Sequence, residues 1–172
     1  ASLAMPPFQL WILLPLSFSG FLIVFENTKT PKAAFWLGWV FGFGYFLGGL
    51  YWMGYGPYTA GVWLGVPFAV VGLPLGLSFF PAAATLATFT FAKTPLARVF
   101  AFTAFWSLSE WLRGHVLTGL PWNLLGYTWD ISLLQVTSVI GIYGLSALTT
   151  LAACVFATRN KRWVIGVVLG LA

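Results

Sequence analysis

The sequence contains a run of 60 residues, from Ala33 to Ala92, without a single charged side chain. A transmembrane helix needs about 20 consecutive apolar residues, so this run is too long for one helix and fits two spans joined by a turn. Soluble domains carry about 25% charged residues, whereas this chain has 6% charged and 60% apolar residues. These features predict an all-α protein, a polytopic transmembrane helix bundle.

Polar turns divide the chain into six apolar segments. Five of them have the length of a membrane span, and they cover residues 8–25, 33–55, 66–91, 96–112 and 133–157. The sixth, 163–172, would extend about 15 Å as a helix, roughly half of the hydrocarbon thickness. The chain also opens at Ala1 without an initiator methionine. We therefore expect about six spans in one transmembrane domain over residues 1–172, truncated at both ends, with the last span cut.

Glycines and prolines predict how the second and third segments pack. One side of the second helix collects three glycines, Gly38, Gly42 and Gly49. Small residues on one side of a helix allow a neighbouring backbone to approach closely in lipid. The third segment has prolines at intervals of seven, which predict one kinked helix: Pro67, Pro74 and Pro81. Between the two segments, residues 55–58 have the composition of an interfacial turn.

Seven of the eight Lys and Arg residues lie in three short clusters, which follow the first, third and fifth segments: Lys29 and Lys32, Lys93 and Arg98, and Arg159, Lys161 and Arg162. Cytoplasmic loops of membrane proteins are enriched in Lys and Arg, so the clusters predict cytoplasmic loops. The loop from Arg113 to Asp130 is then on the outer side. The net charge of +5 forms no basic patch, and we expect no nucleic-acid partner.

The most unusual stretch runs from Glu110 to Tyr127. Glu110 lies near the end of an apolar helix, where an ionised carboxylate is costly unless it is paired, and Arg113 follows on the same helix face. We expect these two to form a structural pair near the outer face. The aromatic-rich loop after them is predicted to lie in the outer interface, with four candidate lipid-binding residues, Gly119, Pro121, Trp122 and Tyr127. Its apolar surface is expected to consist of Leu120, Trp122, Leu124 and Leu125. A simpler interpretation stays open, in which the pair only fixes the helix end and the aromatic residues form an interfacial belt.

The sequence contains no recognisable catalytic constellation. Its single cysteine, Cys154, lies in an apolar segment and is interpreted as a small buried hydrophobe. His115 is interpreted as an interfacial residue rather than a base. Metal-ligand spacing, a phosphate-binding loop and a dinucleotide fingerprint are all missing from the sequence. We therefore expect no catalytic residue, no metal and no cofactor in this chain.

Two motifs in and just before the stretch from Glu110 to Tyr127 resemble those of the bacterial apolipoprotein N-acyltransferase family. They run from Trp106 to Gly114 (WSLSEWLRG) and from Leu117 to Tyr127 (LTGLPWNLLGY), and residues 42–46 and 51–52 support them. The family commonly has Phe at the position of Leu120, which is a mild departure. The resemblance extends over nearly the whole chain.

The resemblance implies an enzyme of the bacterial inner membrane that completes lipoprotein maturation. Such enzymes move an acyl chain from a phospholipid to the α-amino group of a diacylglyceryl-cysteine, so the partners would be a phospholipid acyl donor, a diacylated apolipoprotein and the lipid bilayer. The family's Glu-Lys-Cys triad lies in a nitrilase-like periplasmic domain, and none of its positions falls in this chain. The loop from Arg113 to Asp130 would be periplasmic, and this chain alone would be inactive.

Two other classes of protein remain compatible with the composition. Glycine-rich, proline-kinked helices are also typical of transporters and channels, although a solute path normally needs polar groups at mid-membrane. Glu110 is the only acid inside a predicted span, and it lies near one end. A purely structural membrane subunit is the second alternative, but it leaves the pattern from Glu110 to Tyr127 without a reason.

Overall fold

A computed structural model describes residues 1–116 and 119–158, apart from the side chain of Ile131. Within these ranges all regular secondary structure is helical, which confirms the predicted all-α class. The described residues form five helices longer than ten residues: α1 (Leu13–Glu26), α2 (Pro31–Thr59), α3 (Gly65–Phe91), α4 (Pro95–His115) and α5 (Thr137–Thr158). Short helical turns lie at Ser2–Ala4, Leu125–Thr128 and Ile131–Leu134.

Three of these helices, α2, α3 and α5, are long and apolar enough to cross a membrane. Helix α1 is apolar but has only 14 residues. Helix α4 has 21 residues and is less apolar, because it contains Arg98, Glu110 and Arg113. The predicted sixth segment lies outside the described residues. The described part of the chain therefore supports a polytopic membrane bundle, and the number of about six spans stays a prediction.

Helix boundaries differ from the predicted ones where single residues leave the helical backbone region. Helix α1 begins at Leu13 rather than near Phe8, and Gln9 before it has a positive φ of 50°. Residues 55–58, predicted as a turn, are helical within Tyr55–Thr59, and the chain turns after them at Gly61, whose φ is 72°. Helix α5 is interrupted at Gly141, with φ 69° and ψ 170°.

Helices α2 and α3 pack through two of the three glycines on the predicted side, Gly38 and Gly42, whereas the third, Gly49, faces Asn123. A Cβ on Gly38 would lie 2.8 Å from the carbonyl oxygen of Pro81, and one on Gly42 would lie 2.7 Å from the Pro81 ring. Helix α3 is one long helix with Pro67 near its start, as predicted, and a π-helical turn at Phe68–Gly72 directly after it. The predicted kink stays a prediction. Because these two glycines have no Cβ, the backbones of the two helices can approach this closely.

This contact predicts opposite effects for two glycines of the same helix. Gly38→Ala should lower the free energy of unfolding by about 1–3 kcal/mol, because the added methyl group meets the backbone of α3. Gly44→Ala is the control, since a Cβ there meets nothing within 4 Å, and alanine should stabilise the helix by about 0.5–1 kcal/mol. Unfolding in detergent measures both, and equal effects would contradict this packing.

An aromatic core joins α1, α2 and α4. Phe18 of α1 lies edge-on to Trp106 of α4, with ring centroids 5.0 Å apart. Phe21, one turn further along α1, lies 4.5 Å from Phe41 of α2 and 5.3 Å from Phe102 of α4. Edge-to-face and tilted ring pairs contribute stability beyond the area that they bury. These contacts place α4, which carries Glu110 and Arg113, in the middle of the bundle.

The bundle has two chemically different ends. At the basic end, Arg98 lies over the ring of Phe25 at 5.1 Å, and Phe25 lies 6.4 Å from Phe89, so the α1–α2 and α3–α4 turns are neighbours. The opposite end is called the loop end here, because residues 119–130, the 119–130 loop, lie there. At this end Trp52 of α2 lies 5.0 Å from Trp122. The first two basic clusters thus share one end, as predicted, and the third lies outside the described residues.

Candidate functional site

The carboxylate of Glu110 lies in the interior of the bundle, where it links α4 to the 119–130 loop and to α5. Its side chain is 3% exposed. Oε1 accepts the backbone N–H of Leu125 at 3.1 Å, and Oε2 accepts the hydroxyl of Ser146 on α5. The Ser146 oxygen in turn accepts the N–H of Gly126 at 3.1 Å. One buried acid of α4 therefore connects the 119–130 loop to α5.

Arg113, one turn further along α4, holds an earlier part of the same loop. It is also 3% exposed, and its Nη1 donates to the carbonyl oxygens of Leu120, at 2.7 Å, and Trp122. The N–H of Leu120 donates back to the Arg113 carbonyl at 2.7 Å. The guanidinium lies 5.1 Å from the ring of Phe46, a cation–π arrangement. Arginine suits this position, because its planar group has several donors in a fixed geometry.

The hydrogen bonds of Glu110 and Arg113 differ from the predicted direct pair. Both side chains bind the 119–130 loop. Their opposite charges still attract each other in the interior, but within the part of the chain that the structure describes no hydrogen bond joins them to each other. The physical reason is that the loop folds back onto the end of α4 and brings its own N–H and C=O groups within reach. These groups lie where water is excluded and also need partners. A structural role for the two residues therefore acts through the loop.

Helix α2 supplies a third contact to the loop. The hydroxyl of Tyr45 donates to the carbonyl oxygen of Asn123 at 2.7 Å. Asn123 has a positive φ of 59°, a conformation that asparagine tolerates better than most residues. Gly49 lets it approach, since a Cβ there would lie 2.6 Å from Cγ of Asn123. Three helices thus bind the main chain of the loop over a few residues.

The four candidate lipid-binding residues have different environments in this loop. Trp122 is 50% exposed and Tyr127 is 41% exposed, while Pro121 is also exposed. Gly119 has a φ of 72°, and a Cβ there would lie 2.5 Å from the carbonyl oxygen of Gly114, so only glycine fits the turn. Gly119 therefore shapes the loop, whereas Trp122, Tyr127 and Pro121 form its surface. The motif residues Leu117 and Thr118 lie outside the described ranges.

Sequence reasoning expected Leu124 and Leu125 on the apolar surface of the loop, and this expectation is wrong. Both side chains are fully buried, because the loop turns into a 3-10 helix at Leu125–Thr128 and inserts them into the bundle. Sequence reasoning also gave no indication that Tyr45, Asn123 and Ser146 take part in the contacts that hold the loop. A serine inside an apolar helix was the one available signal for Ser146.

The two other reactive side chains lie apart from this loop or at its edge. Cys154 is free and fully buried in α5, as its interpretation as a small hydrophobe predicts. His115 is exposed at the end of α4, and its ring stacks on Trp111 at 4.5 Å. Its Nδ1 lies 2.7 Å from the carbonyl oxygen of Trp111.

The profile of the apolipoprotein N-acyltransferase N-terminal domain matches residues 1–155. The chain belongs to this family. An apolipoprotein N-acyltransferase of Rickettsia bellii is 43% identical over 145 residues, which cover 82% of this chain and 28% of the relative. The corresponding protein of Rhodopseudomonas palustris is 40% identical over 159 residues, covering 87% of this chain and 30% of the relative.

A third relative, the apolipoprotein N-acyltransferase of Allorhizobium ampelinum, is 36% identical over 185 residues, and the match covers 99% of this chain and 34% of the relative. The chain thus spans about a third of the length of these relatives, and it corresponds to their N-terminal part. Membership of this acyltransferase family, together with the apolar helices, identifies a membrane protein. It favours the acyltransferase interpretation over a transporter fragment.

Proposed function

We propose that this chain is the membrane domain of a phospholipid-dependent apolipoprotein N-acyltransferase. The full-length enzyme transfers an acyl chain from a phospholipid to the α-amino group of the diacylglyceryl-cysteine of an apolipoprotein. The observation that carries the proposal is the 119–130 loop, whose main chain is bound by the buried Glu110 and Arg113 while Trp122 stays half-exposed. Two buried charges that hold an exposed indole in place are more than an interfacial belt requires.

The chemistry of the proposal is carried by residues outside this chain. Acyl transfer through a thioester needs a thiolate that water and substrate can reach. Cys154 is fully buried in α5, so it does not meet this requirement. We assign the nucleophile and its Glu and Lys partners to the nitrilase-like domain implied by the family. The membrane domain anchors that domain and presents lipid to it.

The loop is suited to lipid because its main chain is satisfied from the inside. Arg113, Glu110 and Tyr45 bind carbonyl and N–H groups that would otherwise need water. The exposed side chains are then free to contact acyl chains. Indole and phenol rings suit the headgroup level, where one side is apolar and the other is wet.

The orientation proposed from the charge distribution places the basic end in the cytoplasm and the loop end in the periplasm. In a Cys154→Ala background, Lys29→Cys and Lys93→Cys should resist a membrane-impermeant thiol reagent in spheroplasts, whereas Ala60→Cys should react. All three positions are exposed, and the one that caps a helix, Ala60, does so through its backbone N–H rather than its side chain. If both lysine positions were labelled and residue 60 were protected, the orientation would be the opposite of the one proposed.

The proposed role of the loop is tested in the full-length enzyme with Trp122→Ala. We expect the rate of acyl transfer at limiting phospholipid to fall about tenfold, because an apolar contact of the size of an indole is lost. Protein abundance should change much less, since the loop is held by its main chain. Trp63→Ala is the matched control, because Trp63 is 66% exposed and its ring packs on Tyr58. Equal losses of rate and abundance for Trp122→Ala would reduce Trp122 to a membrane anchor.

A further inference from the structure

Trp52 differs from an ordinary interfacial tryptophan in the direction of its N–H group. Its Nε1 donates to the carbonyl oxygen of Gly49 in its own helix at 3.1 Å. Interfacial tryptophans usually direct the N–H to the wet side and the ring to the hydrocarbon. In Trp52 the polar atom already has its partner, while 40% of the residue is exposed. The exposed part is therefore available for an apolar ligand without loss of a hydrogen bond to water.

Trp52 and Trp122 form a pair at the loop end. Their ring centroids lie 5.0 Å apart, and the ring planes are inclined by 49°. Both residues are at least 40% exposed, so the two tilted rings present a joint apolar surface. Trp63, in the turn between α2 and α3, packs on Tyr58 instead. It is therefore not part of the surface formed by Trp52 and Trp122.

The position of the pair is set by contacts of the main chain. Arg113 binds the carbonyl oxygen of Trp122, and Tyr45 binds that of Asn123. Tyr45 and Trp52 belong to the same helix, and Gly49 between them lets Asn123 approach. Helix α2 therefore supplies one ring of the pair and also holds the loop that supplies the other.

We propose that Trp52 is a second lipid-contacting residue, which binds an acyl chain of the donor phospholipid together with Trp122. This inference rests on the proposed function and names a substrate contact for it. The donor is favoured over the acceptor because the acyl carbonyl carbon of the donor must move out of the glycerol level of the bilayer to react. The first methylene groups of that acyl chain are then drawn to the depth of the headgroups, where they need apolar protein surface. The diacylglyceryl chains of the acceptor do not react and remain in the bilayer.

The test uses the full-length enzyme and measures kcat/KM separately for the phospholipid donor and for a diacylglyceryl-peptide acceptor. A covalent two-step reaction allows this separation. Trp52→Ala should lower kcat/KM for the donor about five- to tenfold through KM, with the acceptor value unchanged. Trp52→Phe should restore most of the donor value, because it retains an aromatic ring. Trp63→Ala serves as the control, and all rates are normalised to folded protein.

Each other outcome overturns a defined part of the proposal. An unchanged donor value for Trp52→Ala, with a loss for Trp122→Ala, removes Trp52 from the site and leaves the proposed function intact. Unchanged donor values for both variants contradict the proposed function of the loop itself. A change confined to the acceptor value contradicts the assignment to the donor. Should Trp52→Ala fail to accumulate as folded protein, Trp52→Gln provides the same comparison with a polar chain.

Discussion

Replacing Arg113 with glutamine is expected to lower the free energy of unfolding by about 3–5 kcal/mol, the usual cost of removing one partner of a buried charge arrangement. The variant leaves the buried Glu110 without a compensating charge. It also replaces the charged Nη1 group, which donates to the carbonyl oxygens of Leu120 and Trp122, with a shorter and uncharged amide. Thermal unfolding of the purified chain in a mild detergent measures the loss.

Arg98→Gln is the matched control on the same helix. Arg98 lies at the basic end, is only half-buried, and makes a long contact of 3.4 Å from Nε to the carbonyl oxygen of Ala92. Its replacement should cost no more than about 1 kcal/mol, as is usual for a charge near water. Similar losses for the two variants would mean that the loop does not depend on Arg113 for its position.

The fold class was predictable because a membrane imposes a simple physical requirement. Every backbone group in hydrocarbon needs a partner within the segment, so long uncharged runs become helices. The absence of charge from Ala33 to Ala92 was sufficient to predict α2 and α3. Glycines at positions 38 and 42 predicted a close backbone approach on that side of α2, and the structure shows that α3 makes it.

The loop was less predictable because irregular backbone has no periodicity. In a helix, spacing assigns a residue to a face, but in 119–130 the direction of each side chain depends on which main-chain groups find partners. Leu124 and Leu125 therefore looked like surface residues although they are fully buried. The same limit explains why Tyr45, 78 residues before Asn123 in the chain, was not recognised as its partner.

Glu110 and Arg113 illustrate what the spacing of two residues on one helix does not reveal. Their spacing on one helix predicts a direct pair, and both buried side chains have hydrogen-bond partners inside the bundle. Local spacing does not reveal competing acceptors and donors from a distant segment. The N–H of Leu125 and the carbonyl of Trp122 come from the loop, and they bind the two charges instead.

The central claim, that this chain is the membrane domain of an acyltransferase whose chemistry lies elsewhere, is tested most directly by an acyl-transfer assay. The full-length protein and the 172-residue chain are compared in lipid vesicles with a phospholipid donor and a diacylglyceryl-cysteine peptide, and N-acylation is followed by mass spectrometry. The full-length protein should acylate the peptide, and the chain alone should give no product above background, because its only thiol, Cys154, is buried in α5. Acylation by the chain alone, or none by the full-length protein, would contradict the account.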